Sequence, residues 1–383
     1  MNNIKAWLPV ICLALTGFTF VTTELMPIGL LPDIAQDMGK TEAFTGLLVT
    51  IYAWSVALTS LPLTMAVRRL NRKTLLLFLL GGFAVSQWLA AIATDFAFLM
   101  AARLMTSFCH ALFWSVTPPL AVKVAPGHGT TKALAIMGSI TSLASILGMP
   151  LGTIIGHNLG WRVTFALIGT LSLIVALILA KNLPSVPGAE GKKTAGEAMP
   201  WHTPIIAKTY LLTVLTVSGH FAAFTYMNPL LANSGGFSSS TIAVLLLTLG
   251  SAGIMGNIIV SRHLDVRPQT ALTSALCLLA ASLLIAGFAA SSLPGAVLLC
   301  LVWGSSMSAS TLTYQTIVIK KSTNQDVANS LYSAIFNVGI GGGALVGNTV
   351  FNAFGIGAVN YGGAVFIVLA ISAALALLRR GEM

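Results

Sequence analysis

The sequence predicts an all-α membrane protein, with twelve transmembrane helices in two six-helix pseudo-repeat bundles. Three observations carry this expectation. The 383 residues are 56% hydrophobic and only 8% charged, with a mean hydropathy of +0.89. A soluble domain of this length could not keep so few charges on its surface. Apolar runs of about 20 residues recur along the chain, the length a helix needs to cross a hydrocarbon layer of about 30 Å while satisfying its own backbone. One long polar interruption, Asn182 to Thr203, divides these runs six and six.

In chain order the spans fall near 6–31, 44–66, 73–93, 96–122, 132–155, 162–180, 208–232, 240–261, 269–290, 295–319, 327–353 and 358–378. The first opens on Lys5 and an apolar run that mimics a secretory signal. It is longer than such a segment and feeds directly into further spans, so it reads as a retained helix. Basic residues mark alternate ends: Arg68, Arg69, Arg72 and Lys73 after the second span, Lys123 and Lys132 after the fourth, Lys181 to Lys208 around the interruption, Arg262 and Arg267, Lys320 and Lys321, then Arg379 and Arg380. With Lys5, seventeen of the twenty Lys and Arg residues lie on one side, and the positive-inside rule places that side, with both termini, in the cytoplasm. The formal charge of +10 therefore reports topology, and nucleic acid is not an expected partner.

The interruption contains Pro184, Pro187, Gly188, Gly191, Lys192, Lys193, Gly196 and Pro200, the composition of a linker. The expected organisation is a bundle over 1–181, a cytoplasmic linker over 182–207 and a second bundle over 208–383. Thr23-Glu24-Leu25-Met26-Pro27 aligns without gaps on Thr225-Tyr226-Met227-Asn228-Pro229. Duplicated halves are the trace of an alternating-access transporter, with its site near the midplane. Glu24 becomes Tyr226, so one half alone keeps a titratable carboxylate there. Cys12, Cys109, Cys277 and Cys300 lie in apolar spans without metal or redox spacing and read as packing residues.

Several motifs carry a resemblance. Thr22 to Asp33, Ile51-Tyr52-Ala53-Trp54, His110-Ala111-Leu112-Phe113-Trp114-Ser115, Leu147-Gly148-Met149-Pro150-Leu151-Gly152, Gly160-Trp161-Arg162 and Gly339 to Ala344 together resemble the bacterial sugar efflux transporters. These belong to the drug/proton antiporter branch of the major facilitator superfamily. The likeness covers nearly the whole chain and implies the major facilitator fold, a bacterial inner-membrane location and proton-coupled export. One motif departs. The superfamily's loop between the second and third spans usually reads Gly-x-x-x-Asp-Arg-x-Gly-Arg-Arg, whereas this chain has Thr64 to Lys73 with Arg68 in the acidic place. The charge latch that the motif implies keeps only its basic half.

Two polar stripes organise the first bundle. Thr16, Thr19 and Thr23 share a face of the first span beside Glu24, and Pro27 frees backbone one turn on. In the fourth span Arg103, Ser107, His110, Trp114 and Thr117 recur at helical spacing. A carboxylate at membrane depth costs about 2.5–3.5 kcal/mol, so it marks a pathway or relay. Glu24 and Arg103 each lie seven residues from the outer end of their spans, roughly 10 Å deep, so a pair is feasible. In the resembled branch an acid in the first span and an Arg in the fourth serve proton coupling, and Glu24 and Arg103 occupy those positions. Burial favours the protonated acid and a guanidinium favours the carboxylate, so rocking that alters either would load and release a proton.

The candidate substrate lining is neutral and hydrogen-bonding: Tyr52, Ser107, His110, His220, Tyr226, Asn228, Ser306, Ser310, Tyr314 and Asn337, with Trp54, Trp114 and Trp303 near. Hydroxyls and amides suit a polyol, and aromatic faces cover its apolar side. Simpler readings stand beside these. Glu24 and Arg103 could be a static pair, His110 and His220 could join helices, the tryptophans could be packing or interfacial anchors, and Gly148, Gly152 and Gly156 with Pro150 could form a small-residue packing face. The expected function is export of an arabinose- or galactoside-like sugar, or a related neutral solute, against protons, by a monomer needing no cofactor or metal. A multidrug/proton antiporter is the nearest rival, followed by a passive channel. No His-Glu-x-x-His, paired-Asp or Ser/His arrangement of catalytic spacing supports an enzyme.

Overall fold

The computed structural model of the chain describes residues 2–40, 42–45, 47–188, 200–264 and 266–379. These residues form fifteen α-helices: α1 (Asn2–Gly29), α2 (Leu31–Asp37), α3 (Glu42–Thr45), α4 (Leu47–Val67), α5 (Arg72–Ala91), α6 (Phe96–Val124), α7 (Thr130–Leu159), α8 (Trp161–Asn182), α9 (Pro204–Phe224), α10 (Met227–Gly235), α11 (Ser239–His263), α12 (Pro268–Ala289), α13 (Leu293–Lys321), α14 (Gln325–Phe354) and α15 (Ile356–Arg379). Eleven are long and apolar enough to cross a membrane, and α4 carries a shorter apolar stretch, Ile51–Val67. Helix starts are set by local chemistry. Asn71 accepts from the Lys73 and Thr74 N–H groups at the head of α5, and Asp95 accepts from Phe98 N–H at 2.9 Å at the head of α6. Such caps stabilise a helix by about 1 kcal/mol each. The turn between α7 and α8 is a single residue, Gly160, whose φ of +94° a side chain would strain.

The first and seventh spans are shorter than the apolar runs suggested. The run 6–31 breaks after Gly29 into α1 and α2, and 208–232 breaks at Thr225 and Tyr226 into α9 and α10. Proline explains both breaks, since Pro32 and Pro229 supply no N–H to the helix and crowd the preceding turn.

Two compact units emerge from the contacts: Met1–Glu197 with Asn324–Ala334, and Ala198–Thr323 with Ile335–Met383. In the first, Phe20 packs against Phe83 and Phe113 with ring centroids 4.2 and 4.4 Å apart, inside a core drawn from α1, α5, α6, α7 and α8. The first residues after α8 are anchored there as well. Arg72 N–H donates to Val186 O at 2.8 Å, and Asn71 Nδ2 donates to Ser185 Oγ at 2.7 Å. The middle of the expected linker, 189–199, lies outside the described residues. In the second unit α13 packs along α11 and α12, and α15 packs along α9 and α12.

Candidate functional site: a buried polar cluster around Glu24

Pro27 has no N–H for the carbonyl four residues back, so Thr23 O is left without its helical donor. Arg103 takes that place. Its Nη1 donates to Thr23 O at 3.0 Å, and its guanidinium lies 4.2 Å from the centroid of the Tyr52 ring. The arginine is 1% exposed, and its Nε and Nη2 have no hydrogen-bond partner among the described residues. Glu24 is half-buried, and its Oε2 stands 3.8 Å from His110 Nε2. The other ring nitrogen of His110 lies 2.7 Å from the Tyr52 hydroxyl. Carboxyl, imidazole and phenol thus stand in sequence from α1 through α6 to α4, with a guanidinium beside them. Each of the three can hold or pass a proton.

The depth count matched Glu24 with Arg103, whose charge acts on the carboxylate, but the side chain that approaches the Glu24 oxygen is His110. The cause is the direction of side chains in helices. They lean toward their own N-termini, and α1 and α6 are an odd number of crossings apart and run oppositely. Glu24 leans one way along the bundle and His110 leans back to meet it, while Arg103 leans past the carboxylate to the Thr23 carbonyl. Tyr52 belongs to this cluster through its hydroxyl. The same depth count, applied to the second span, would have placed it level with Glu24.

A glycine seam holds α1 in place. A Cβ on Gly148 would lie 2.6 Å from Thr22 Oγ1 and one on Gly152 would lie 2.7 Å from Met26 Cγ, while one on Gly156 would meet Leu30 Cδ2. The partners advance four residues for each four-residue step from one glycine to the next, so α1 and α7 run in the same direction in matched register. This packing face brackets Glu24 within its own turn. The side chain of Pro150, in the same stretch, lies outside the described residues.

The second unit holds a neutral counterpart. Trp303 Nε1 donates to His220 Nδ1 at 2.8 Å, the His220 ring stacks on Phe224 with centroids 5.1 Å apart, and the hydroxyls of Thr216 and Tyr314 lie 2.8 Å apart. Tyr226 donates to Asn348 Oδ1 at 3.3 Å and stacks on Phe351.

The sequence and the fold match known proteins. A sequence profile described as the Major Facilitator Superfamily matches residues 13–327. The chain belongs to the major facilitator superfamily. Among solved structures, the human organic anion transporter MFSD10 (TETRAN) superposes with a TM-score of 0.78 at 16% identity, covering 98% of this chain and 100% of that one. The superfamily transporter FucP, in an outward conformation, gives 0.76 at 15% identity over 97% and 99% of the two chains. A variant of the E. coli fucose:proton symporter FucP gives 0.74 at 16% identity over 96% and 98%. These likenesses are of fold. As a superfamily member the chain is a multi-pass membrane transporter and not an enzyme.

Within this facilitator the remaining candidate residues divide. Trp114 touches the cluster, its ring 6.2 Å from His110. Ser107, Ser306 and Ser310 are buried, and each hydroxyl donates to its own helix, at Leu104 O, Val302 O and Ser306 O. Ser306 also lines a crevice among α11, α12 and α13. Trp54 is 60% exposed, because two residues along a helix turn it about 200° from Tyr52. Asn337 is half-buried on α14, and the side chain of Asn228 lies outside the described residues. Thr16 and Thr19, read as part of a polar stripe, donate to Cys12 O and Thr16 O of their own helix. The departing loop motif finds an acidic partner elsewhere in the chain. Arg72 is buried and pairs with Asp326 at the start of α14, also buried, and its Nη2 donates to Arg68 O. Sequence reading missed Asp326, which nothing in its own segment marks as a partner for that loop.

Proposed function

We propose that this facilitator exports sugars, arabinose- or galactoside-like, or related small neutral solutes from the bacterial cytoplasm in exchange for protons, with both termini inside. The contact of Glu24 with His110, inside a cluster completed by Tyr52 and Arg103, carries the reading. A half-buried carboxylate at membrane depth is costly unless it is used or neutralised, and its neighbour is an imidazole whose ring nitrogens can donate or accept a hydrogen bond. In this reading Glu24 carries the proton, His110 and Tyr52 pass or orient it, and Arg103 supplies a fixed positive charge that favours release. The neutral donors and acceptors of the second unit, around His220, Trp303, Thr216 and Tyr314, suit hydroxyl-rich solutes. A fold shared with a fucose:proton symporter is compatible with pairing a sugar and a proton.

The test is transport in proteoliposomes with an imposed pH gradient and labelled pentoses and disaccharides. The wild type is expected to drive exchange of at least one sugar, and Glu24→Gln to lose the gradient-driven component while keeping its fold. Full gradient-driven exchange by Glu24→Gln would remove the coupling assignment. Drug efflux without sugar exchange in the same vesicles would favour a multidrug/proton antiporter.

A further inference from the structure

The second unit contains a crevice of about 360 Å³ walled by α11 and α12 and floored by α13. It lies within the range of about 300–1,000 Å³ common to ligand pockets. Its polarity changes steadily along one face of α12. Arg267, just ahead of the helix, is followed at helical spacing by Thr270, Ser274 and Leu278, all lining the crevice. Charge thus gives way to hydroxyls and then to hydrocarbon.

The dimensions carry a meaning. From Arg267 to Leu278 the rise is about 16 Å, close to half of a hydrocarbon core of about 30 Å, and thus to the depth of one leaflet. The crevice starts where α11 ends and α12 begins, at the basic turn between the two spans. It is open sideways, because Ile259 on one wall and Leu278 on the other are 55% and 50% exposed. Exposed apolar side chains on both walls of a spanning-helix crevice suit an acyl chain. At the floor, a Cβ on Gly256 would strike the Ser305 backbone, so α11 touches α13 there and the crevice is closed inward.

The charged end suits an anion. Arg267 is exposed, α12 begins without a side-chain cap, and the turn from Arg262 to Arg267 has two arginines against one acid, Asp265, in its sequence. His263 is fixed on the opposite wall, its Nδ1 2.9 Å from Ile259 O. Basic pockets between spanning helices at an interface are binding places for anionic lipid headgroups.

We propose that this crevice binds an anionic phospholipid, with the phosphate at Arg267, the glycerol region beside Thr270 and Ser274, and an acyl chain between Ile259 and Leu278. The site is separate from the Glu24 cluster and does not depend on the identity of the transported solute.

Native mass spectrometry of the full chain in detergent, titrated with dioleoyl phosphatidylglycerol or dioleoyl phosphatidylcholine, tests this. The wild type is expected to bind phosphatidylglycerol at least tenfold more tightly. Arg267→Gln should lose that preference and Arg267→Lys should keep much of it. Ser274→Phe, which puts a ring into the crevice, should weaken binding of the phosphatidylglycerol by a similar factor. Lys181→Glu, a charge reversal on α8, should leave it unchanged. Equal binding of the two lipids, or an unaltered preference in Arg267→Gln, overturns the proposal. So does displacement of the lipid by millimolar inorganic phosphate, which would mark a soluble-anion site, or by a transported sugar, which would assign the crevice to the solute path.

Discussion

A proline in a helix leaves the carbonyl four residues back without a donor, and the first unit uses that vacancy twice. Pro27 frees Thr23 O for Arg103. Pro118 and Pro119 free Trp114 O and Ser115 O, and the side-chain amide of Asn329 donates to both. Asn329→Ala leaves two carbonyls without that donor, at about 1–3 kcal/mol for each one buried, and should lower the apparent melting temperature in detergent. Asn329→Gln, longer by a methylene, should not restore it. Tyr52→Phe removes the hydroxyl at His110 and leaves the ring under Arg103. It should cost about 1 kcal/mol of stability and slow gradient-driven exchange several-fold at unchanged expression, measured in the same proteoliposomes. At this scale the sequence marked Glu24, Arg103 and His110 through their cost inside apolar runs. It could not show which of them touch, because spacing along a helix does not report the lean of a side chain across to a neighbour.

Between elements, the sequence read the glycines of α7 as a packing face, and their partners Thr22, Met26 and Leu30 become visible in the structure. Gly152→Ala puts a methyl group against Met26 Cγ. Overpacking of this kind costs about 1–3 kcal/mol. The apparent melting temperature should fall, and Met26→Ala in the same chain should recover part of the loss. The other unit repeats the device. Added Cβ atoms on Gly339, Gly343 and Gly347 of α14 would meet Val217, Ser218 and Ala222 of α9. The pseudo-repeat that the aligned segments 23–27 and 225–229 suggested thus extends to the seams beside them.

For the molecule as a whole, fold class was legible because a bilayer permits few solutions: composition gave the solvent and run length gave the spans. Hydropathy was less informative about helix ends, since proline broke the first and seventh runs where the side chains remained apolar. Long-range pairing was not legible at all. Arg72 and Asp326 are more than 250 residues apart, yet both are buried and paired. Removing one partner of a buried pair costs about 3–5 kcal/mol. Arg72→Ala should therefore be among the least stable single variants in a thermal series, and exchanging the two residues, Arg72→Asp with Asp326→Arg, should regain part of the loss.

The matched register of α1 and α7 also limits how the carboxylate can travel. Large side chains face glycines every four residues, so a slide of a fraction of that step would drive Met26 or Leu30 into a neighbouring turn. The next position at which knobs meet hollows lies about 6 Å away. Along this seam Glu24 behaves like a pin seated in a notched rail: small thermal slips do not change its height, and its surroundings can change only through what moves around it.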